Sequence, residues 1–154
     1  MDMLEPGDKA PDFTGIDQDG RSVSLGQFRG KKLILYFYPK DNTTGCTAEA
    51  CSLRDGYAEL LRDGFEVVGV SPDSERSHRG FADKHELRFT LIADTDKAIA
   101  SAYGVWGRKK FMGREYMGIL RTTFVIDGEG YIEKVFPKVN TKDHFRQIAD
   151  SYKA

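Results

Sequence analysis

Apolar residues fall along this chain in short blocks that alternate between strand-like and helix-like spacing. The block 33–38 is continuous and partly aromatic and stops at Pro39, which is typical of a strand buried on both faces of a sheet. After the polar stretch 40–45 a helical pattern begins, and we expect the helix to end near Gly64. Its apolar stripe consists of Leu53, Tyr57, Leu60 and Leu61.

The same alternation continues to the end of the chain and predicts the fold class. Further strands are predicted at 11–14, 22–25, 67–70, 89–92, 122–126 and 131–136, and further helices at 74–85, 96–103 and from 141 or 142 to 152. Asp73 or Ser74 is the expected cap of the second helix, and the turn 127–130 joins the last two strands. The pattern predicts an α/β fold with a mixed central sheet and helices on both faces. The length of 154 residues, without linker or repeat, predicts one domain over 1–154.

One segment, 107–114, does not fit this alternation. Its sequence, Gly-Arg-Lys-Lys-Phe-Met-Gly-Arg, is locally basic and carries an aromatic residue. We expect a solvated loop here, and the alternative is a surface for a partner or for substrate access.

Charge and composition exclude several classes of function. Lys and Arg number 23 against 24 Asp and Glu, so no long-range field draws the protein to nucleic acid or to an anionic membrane. The longest apolar stretches are too short to cross a bilayer. The first residues, 1–8, carry acids where a signal peptide carries bases. We therefore expect a cytoplasmic location.

The chain has two cysteines, Cys46 and Cys51, and three histidines. Zinc normally requires more ligands than two thiols, and His78, His85 and His144 lie apart, without metal-ligand spacing. Neither a metal nor another cofactor is predicted.

Cys46 has the sequence context of a reactive cysteine. It follows a buried strand, a proline and a polar turn, and it falls in the first turn of the predicted helix. A helix N-terminus offers unpaired N–H groups and a partial positive charge, both of which favour a thiolate. Thr43, three residues earlier, is a candidate cap and hydroxyl donor. The competing interpretation is an inert, buried packing residue.

The spacing of the two cysteines suits a switch better than a structural disulfide. Five positions on an ideal helix give about 7.5 Å of rise and about 140° of rotation, so the Cα atoms would stand roughly 8 to 9 Å apart. A disulfide requires less than about 7 Å. A helix that holds both Cys46 and Cys51 must unwind locally before they can bond. The absence of a Cys-x-x-Cys motif counts against a general disulfide reductase.

The residues around Cys46 resemble a known family. Residues 39–46, Pro-Lys-Asp-Asn-Thr-Thr-Gly-Cys, match the peroxiredoxin signature of Pro, three residues, Thr or Ser, two residues, Cys. With Cys51, the segment resembles the bacterioferritin-comigratory, or Q-type, branch. Segments 10–13, 36–39, 104–107 and 121–127 are also similar to that branch, so the resemblance spans nearly the whole chain.

This resemblance implies a thioredoxin-like fold and a role for each of six residues. Cys46 would be the peroxidatic nucleophile, and Cys51 would resolve its sulfenic acid through an intramolecular disulfide. The supporting residues would be Arg121, which holds thiolate and peroxide, Thr43, which hydrogen-bonds both, Pro39, which shields the pocket from water, and Glu49, which orients an arginine.

The resemblance also implies partners. Hydrogen peroxide and organic hydroperoxides would be the substrates, thioredoxin or a glutaredoxin system would reduce the disulfide, and we expect a monomer. Two other functions remain open at this point. A thiol–disulfide oxidoreductase acting on proteins is disfavoured by the missing Cys-x-x-Cys, and a redox sensor or chaperone-like protein draws support only from the basic segment. Nucleic-acid binding ranks last, because the charge is balanced.

Overall fold

The secondary structure of this computed structural model, which describes residues 3–153, follows the predicted alternation of strands and helices. The strands are β1 (Thr14–Ile16), β2 (Ser22–Ser24), β3 (Lys32–Phe37), β4 (Phe65–Ser71), β5 (Thr90–Ala93), β6 (Trp106–Phe111), β7 (Arg114–Ile119), β8 (Thr122–Ile126) and β9 (Ile132–Phe136). The helices are α1 (Thr44–Asp55), α2 (Tyr57–Arg62), α3 (Glu75–His85), α4 (Ala98–Ala102) and α5 (His144–Asp150), with a 3-10 turn at Leu25–Phe28.

A mixed five-stranded sheet forms the centre of the molecule, as predicted. Its order is β5-β4-β3-β8-β9. The strands β3, β4 and β5 are parallel to one another, whereas β8 is antiparallel to both β3 and β9. The central position of β3 explains its continuous apolar sequence, because a strand with neighbours on both edges and helices on both faces has no solvated side.

The side chains of β3 alternate between two cores. Leu33, Leu35 and Phe37 pack on the face that carries α4. Ile34 and Tyr36 pack on the opposite face, with residues of α1, α2, α3 and α5. Helices therefore cover both faces of the sheet, as the sequence predicted, and α1 with Cys46 lies on the more heavily covered face.

The predicted helix up to Gly64 is wrong in one respect, because it is divided into α1 and α2 at Gly56. The ring of Phe145 packs so closely on this glycine that a Cβ would lie 2.1 Å from its Cδ1 atom. The apolar pattern of α1 does not reveal that contact, since Phe145 belongs to α5. Of the predicted stripe, Leu53 and Leu60 are buried, whereas Leu61 is 43% exposed.

The expected loop at 107–114 is also wrong. These residues belong to the β6–β7 hairpin, which pairs in antiparallel register from Trp106 with Ile119 to Phe111 with Arg114. Met112 and Gly113 form its turn with positive φ angles of 52° and 79°, as a two-residue turn of the primed type requires. Both faces of the hairpin are largely solvated, so its sequence shows no alternation of polar and apolar residues.

Two smaller expectations concern the cap of α3 and the extent of the domain. Ser74 is the cap of α3, and its Oγ accepts a hydrogen bond from the Ser77 N–H at 3.1 Å. No helix within residues 3–153 is both long enough and apolar enough to span a bilayer. The single domain over 1–154 stays a prediction. Met1, Asp2 and Ala154 lie outside the described part of the chain, and so the first two residues of the segment 1–8 do as well.

Candidate active site

Cys46 lies where the central strand passes into the first helix. The strand β3 ends at Phe37, Pro39 is half-buried, and a tight turn leads to α1, whose N-cap residue is Thr43. Cys46 is the third residue of α1 and only 1% exposed. Cys46 therefore lies in the first turn of α1, where the backbone N–H groups have no partner within the helix, as the sequence predicted. Its side chain is buried beneath the surface.

The turn before α1 is held by its own hydrogen bonds. Asn42 adopts a left-handed conformation with φ of 63°, which asparagine tolerates better than most residues. Thr43 is exposed, and its hydroxyl donates to the carbonyl oxygen of Lys40 at 2.8 Å rather than capping the helix. In this geometry the Thr43 hydrogen is not donated to Cys46. Its contact with thiolate and peroxide stays a prediction, and so does the shielding role of Pro39.

Arg121 connects the thiol to a buried carboxylate. It lies between β7 and β8, and its Nη2 donates to Cys46 Sγ at 3.2 Å while its Nη1 donates to Glu49 Oε1 at 2.7 Å. A Cβ at position 45 would lie 3.3 Å from Nη2, so Gly45 gives the guanidinium room. The fold thus brings Arg121 to Cys46 and Glu49, as the resemblance implied.

Glu49 is fully buried one helical turn after Cys46. Its Oε2 atom has no hydrogen-bond partner among the described residues. Burial raises the pKa of Glu49 from 4.5 to about 7, and the neighbouring Arg121 charge opposes that rise only in part. Near neutral pH this carboxyl can therefore hold or release a proton beside the thiol and the guanidinium.

His144 completes the buried cluster, and the sequence did not predict it. The amide orientation of Gln147 is set by its hydrogen bonds to two other groups, so its Oε1 accepts from His144 Nδ1 at 2.9 Å. His144 Nε2 then accepts from the Thr123 hydroxyl at 2.7 Å and lies 3.6 Å from Glu49 Oε2. Burial lowers the pKa of His144 to about 4, so the ring is neutral at pH 7.

These two pKa shifts predict opposing effects of pH on stability. The pKa of Glu49 is raised on folding, so its contribution is complete below pH 4.5 and is lost as the pH rises through about 7. The pKa of His144 is lowered on folding, so its contribution is complete above pH 6.5 and is lost as the pH falls through about 4. Between pH 4.5 and 6.5 the two largely cancel.

Glu49→Gln removes one of the two contributions. Between pH 4.5 and 6.5 we expect the free energy of unfolding of this variant to increase by about 2 kcal/mol more than that of the wild type does. Urea denaturation at both pH values measures the difference. Glu59→Gln, at an exposed position of α2, is the control for loss of a carboxylate. Equal pH slopes in Glu49→Gln and Glu59→Gln would contradict the assignment.

A second buried cluster anchors the turn before Cys46 to α3. Asp41 accepts hydrogen bonds from the hydroxyls of Tyr38 at 2.6 Å and Ser77 at 2.8 Å, and its Oδ2 lies 2.7 Å from His78 Nδ1. The Asp41 N–H donates to Asp73 Oδ2, and His78 Nε2 donates to a backbone carbonyl oxygen 2.9 Å away.

The ligand atoms of Asp41, Asp73 and His78 all lie within 4.8 Å of one another. Spacing along the chain could not reveal this grouping. Because each group already has hydrogen-bond partners within the protein, we interpret the cluster as an anchor for the turn and for the orientation of α1.

Cys51 lies on the same helix as Cys46, and both thiols are free. It is half-buried, and its Sγ lies 3.9 Å from His85 Nδ1 at the end of α3. Helix α1 is continuous from Thr44 to Asp55, so both cysteines lie in one helix. Five positions apart on a helix is too far for a disulfide, and α1 must therefore open before one can form.

Lys109 of the β6–β7 hairpin belongs to the basic segment 107–114, but the sequence did not predict that it lies near the site. It is half-buried and donates to the Ile119 carbonyl oxygen at 3.0 Å. Burial lowers its pKa, the positive charge of Arg121 lowers it further, and the negative charge of Cys46 opposes this shift. The base of the hairpin thus adds a second cation to the surroundings of the thiolate.

Comparison with a solved structure supports the same fold. A structure of the bacterioferritin comigratory protein of Xanthomonas campestris, described in terms of its alkyl peroxide reduction activity, superposes with a TM-score of 0.86 at 30% identity. The match covers 97% of this chain and 94% of that one. A buried cysteine under a guanidinium at the start of a helix, on this thioredoxin-like fold, suits a thiol peroxidase, because the guanidinium can stabilise a thiolate and the charge on a departing oxygen.

Residues 6–135 match the AhpC/TSA family, and the chain belongs to that family. It is 49% identical over 150 residues to a putative peroxiredoxin Bcp of Haemophilus influenzae, covering 97% of both chains. It is 46% identical over 144 residues to peroxiredoxin Bcp of Escherichia coli, covering 94% of this chain and 92% of that one. The predicted peroxiredoxin activity is confirmed, and the alternatives of a general disulfide oxidoreductase and a redox sensor are not needed to account for the site.

Proposed function

We propose that this peroxiredoxin reduces hydrogen peroxide and organic hydroperoxides with Cys46 as nucleophile and Cys51 as resolving thiol. The supporting observation is the position of Arg121, whose guanidinium contacts Cys46 Sγ at 3.2 Å and is held by Glu49 at 2.7 Å. A fixed guanidinium beside the thiolate can also stabilise the negative charge that develops on a departing oxygen.

In the first step the Cys46 thiolate attacks one oxygen of the peroxide. The O–O bond breaks, and the other oxygen leaves as hydroxide or alkoxide and takes up a proton to give water or an alcohol. The product on Cys46 is a sulfenic acid, in which the sulfur is oxidised and the peroxide is reduced.

In the second step the Cys51 sulfur bonds to Cys46 Sγ and the S–O bond of the sulfenic acid breaks, so that the disulfide forms and the oxygen is released as water with the proton of the Cys51 thiol. The C-terminal half of α1 is tethered on both sides, because Ser52 Oγ accepts from the Phe145 N–H at 3.0 Å and Arg54 Nη1 donates to the His85 carbonyl oxygen at 2.9 Å. We therefore expect the first turns of α1, with Cys46, to unwind toward Cys51, while the second half of the helix stays in place.

Thioredoxin is the reductant that we propose for the disulfide, with a glutaredoxin system as the alternative. A Cys46–Cys51 disulfide in an unwound segment is accessible to thiolate attack, which is the first requirement of thiol–disulfide exchange. We further propose a monomer in the cytoplasm, where free thiols such as these two persist.

A coupled assay tests the function and the reductant together. Consumption of NADPH is followed with thioredoxin reductase, thioredoxin and either hydrogen peroxide or tert-butyl hydroperoxide, and the assay is repeated with glutathione reductase, glutathione and glutaredoxin. We expect sustained turnover of both peroxides with thioredoxin. Turnover with glutaredoxin alone would overturn the choice of reductant, and the absence of turnover in both systems would overturn the peroxidase mechanism.

Cys51→Ser separates the two steps. We expect this variant to consume one equivalent of peroxide at the wild-type rate, because the Cys46–Arg121–Glu49 contacts are unaffected. Turnover with thioredoxin should then fall about tenfold or more, since a hydroxyl cannot form a disulfide. Peroxide loss in a single turnover and NADPH consumption measure the two quantities. Full turnover without added thiol would remove Cys51 from its role.

A further inference from the structure

The resolving step requires Cys51 as a thiolate, and the structure contains a group that can ionise it. A thiol with the ordinary pKa of about 8.5 is only about 3% thiolate at pH 7. Cys51 is the eighth of the twelve residues of α1, so it lies beyond the unpaired N–H groups of the first turn, which favour a thiolate. For a thiol of this ordinary kind, a base within hydrogen-bonding distance can raise the reactive fraction at pH 7 by up to about 30-fold.

The geometry points to His85 as the base that takes the proton of Cys51 during resolution. His85 Nδ1 lies 3.9 Å from Cys51 Sγ, within hydrogen-bonding range for sulfur. In the described part of the chain this is the one hydrogen bond of the Cys51 side chain. An imidazole changes its protonation near neutral pH and commonly acts in this way. This inference rests on the proposed resolving role of Cys51.

Two contacts hold the imidazole in place. His85 is the last residue of α3, and its carbonyl oxygen accepts from Arg54 Nη1 at 2.9 Å, which ties it to the helix of Cys51. Its ring meets Phe81 edge to face, with 5.2 Å between the ring centroids. These contacts fix the approach of Nδ1 to the sulfur without consuming either ring nitrogen.

The proton balance of the step is complete with the groups present. The Cys51 proton passes to His85 Nδ1, and the thiolate electron pair forms the bond to Cys46 Sγ. The S–O bond of the sulfenic acid breaks, and its oxygen leaves as hydroxide. The hydroxide becomes water with a proton that returns from the imidazolium directly or through solvent, so no further oxidant or reductant is needed.

Solvent and small molecules can reach His85. An open groove of about 400 Å³ runs between the first turns of α1 and the end of α3, and Thr47, Ala48, Lys84 and His85 line it. The groove gives the released proton a route to water. It also offers space for free imidazole when the histidine side chain is removed.

A rapid-quench experiment tests the assignment. Reduced protein is mixed with one equivalent of hydrogen peroxide and quenched at successive times with a sulfenic-acid trap, and intact mass gives the fractions of sulfenic acid and disulfide. For His85→Ala we expect disulfide formation to be about 10- to 30-fold slower at pH 7. Oxidation of Cys46 should stay within about twofold of wild type, and added imidazole should restore much of the resolving rate.

Lys84→Ala is the matched control, because it alters the same helix turn and the same groove but retains the base. It should resolve at the wild-type rate. An unchanged rate in His85→Ala would overturn the inference, and so would a slower rate that imidazole does not restore, because loss of packing alone would then explain it.

Cys51→Ser keeps this outcome distinct from a failure of the proposed function. If its sulfenic acid persists while His85→Ala resolves normally, the role of Cys51 stands and only the role of His85 is rejected. If the sulfenic acid of Cys51→Ser disappears at the wild-type rate, the resolving role of Cys51 is wrong and the role of His85 falls with it.

Discussion

Cys46→Ser is expected to abolish peroxide reduction. A serine hydroxyl differs from the thiol by one atom and fits the same buried position, so the fold and the Arg121–Glu49 pair should remain. However, a hydroxyl is not ionised near neutral pH and is a far weaker nucleophile than a thiolate. NADPH consumption in the thioredoxin-coupled assay should fall to the rate without protein.

The control for Cys46→Ser is Cys51→Ser, the same substitution five positions later on the same helix. It should retain one wild-type turnover, whereas Cys46→Ser should show none. Equal activity in wild type and Cys46→Ser would mean that Cys46 is not the nucleophile, and the mechanism proposed here would be rejected.

Arg121→Lys is expected to slow the oxidation of Cys46 by about 100-fold or more. The guanidinium donates in two directions at once, from Nη2 to Cys46 Sγ and from Nη1 to Glu49 Oε1. A lysine ammonium keeps the charge but cannot reproduce the planar fork. The ammonium could contact Cys46 Sγ or Glu49 but not both as the guanidinium does. If it contacts the sulfur, the fully buried Glu49 carboxylate loses its partner.

The size of this effect follows from what a lowered thiol pKa can and cannot supply. For any thiol, lowering the pKa from about 8.5 to about 6 raises the thiolate fraction at pH 7 about 30-fold. The accompanying loss of nucleophilicity, with a Brønsted slope near 0.4 to 0.5, removes roughly 10- to 18-fold of that gain. The larger part of the rate must therefore come from donors fixed around the transition state, among which Arg121 is foremost.

The rate of Cys46 oxidation in Arg121→Lys can be measured by stopped-flow mixing with limiting protein. Arg108→Lys, on the exposed β6–β7 hairpin, is the matched control, because its side chain is 80% exposed. It should react as wild type does. Near-wild-type oxidation in Arg121→Lys would show that charge alone suffices, and the argument from the planar fork would fail.

Much of the central sheet could be predicted from local pattern alone. The strand β3 is a continuous apolar block because it is central and covered on both faces, and such a block is visible in any sequence. Two elements were predicted wrongly. One depends on packing against a residue distant in the chain, and the other is a hairpin with little packing against the rest of the protein. Helix α1 ends at Gly56, where the ring of Phe145 from α5 packs, and the β6–β7 hairpin is largely solvated on both faces. Neither feature follows the expected periodicity.

For the site, the sequence by itself determined that Cys46 lies in the first turn of a helix after a buried strand, because strand, turn and helix start are local features. It also determined that Cys46 and Cys51 would share a helix and could not bond without its opening. Family resemblance supplied Arg121 and Glu49. The third partner, His144, could not be found, because its approach to Glu49 requires the packing of α5 against α1.

Only the tertiary structure decided which polar groups meet. Arg121 lies 75 residues from Cys46 along the chain and His85 lies 34 residues from Cys51, so no local spacing relates them. The pKa of Glu49 was likewise undetermined, because it depends on how completely the fold removes the carboxyl from water. Local sequence sets backbone conformation over a few residues, whereas contact and burial are properties of the assembled layers, and the chemistry of this site depends on both.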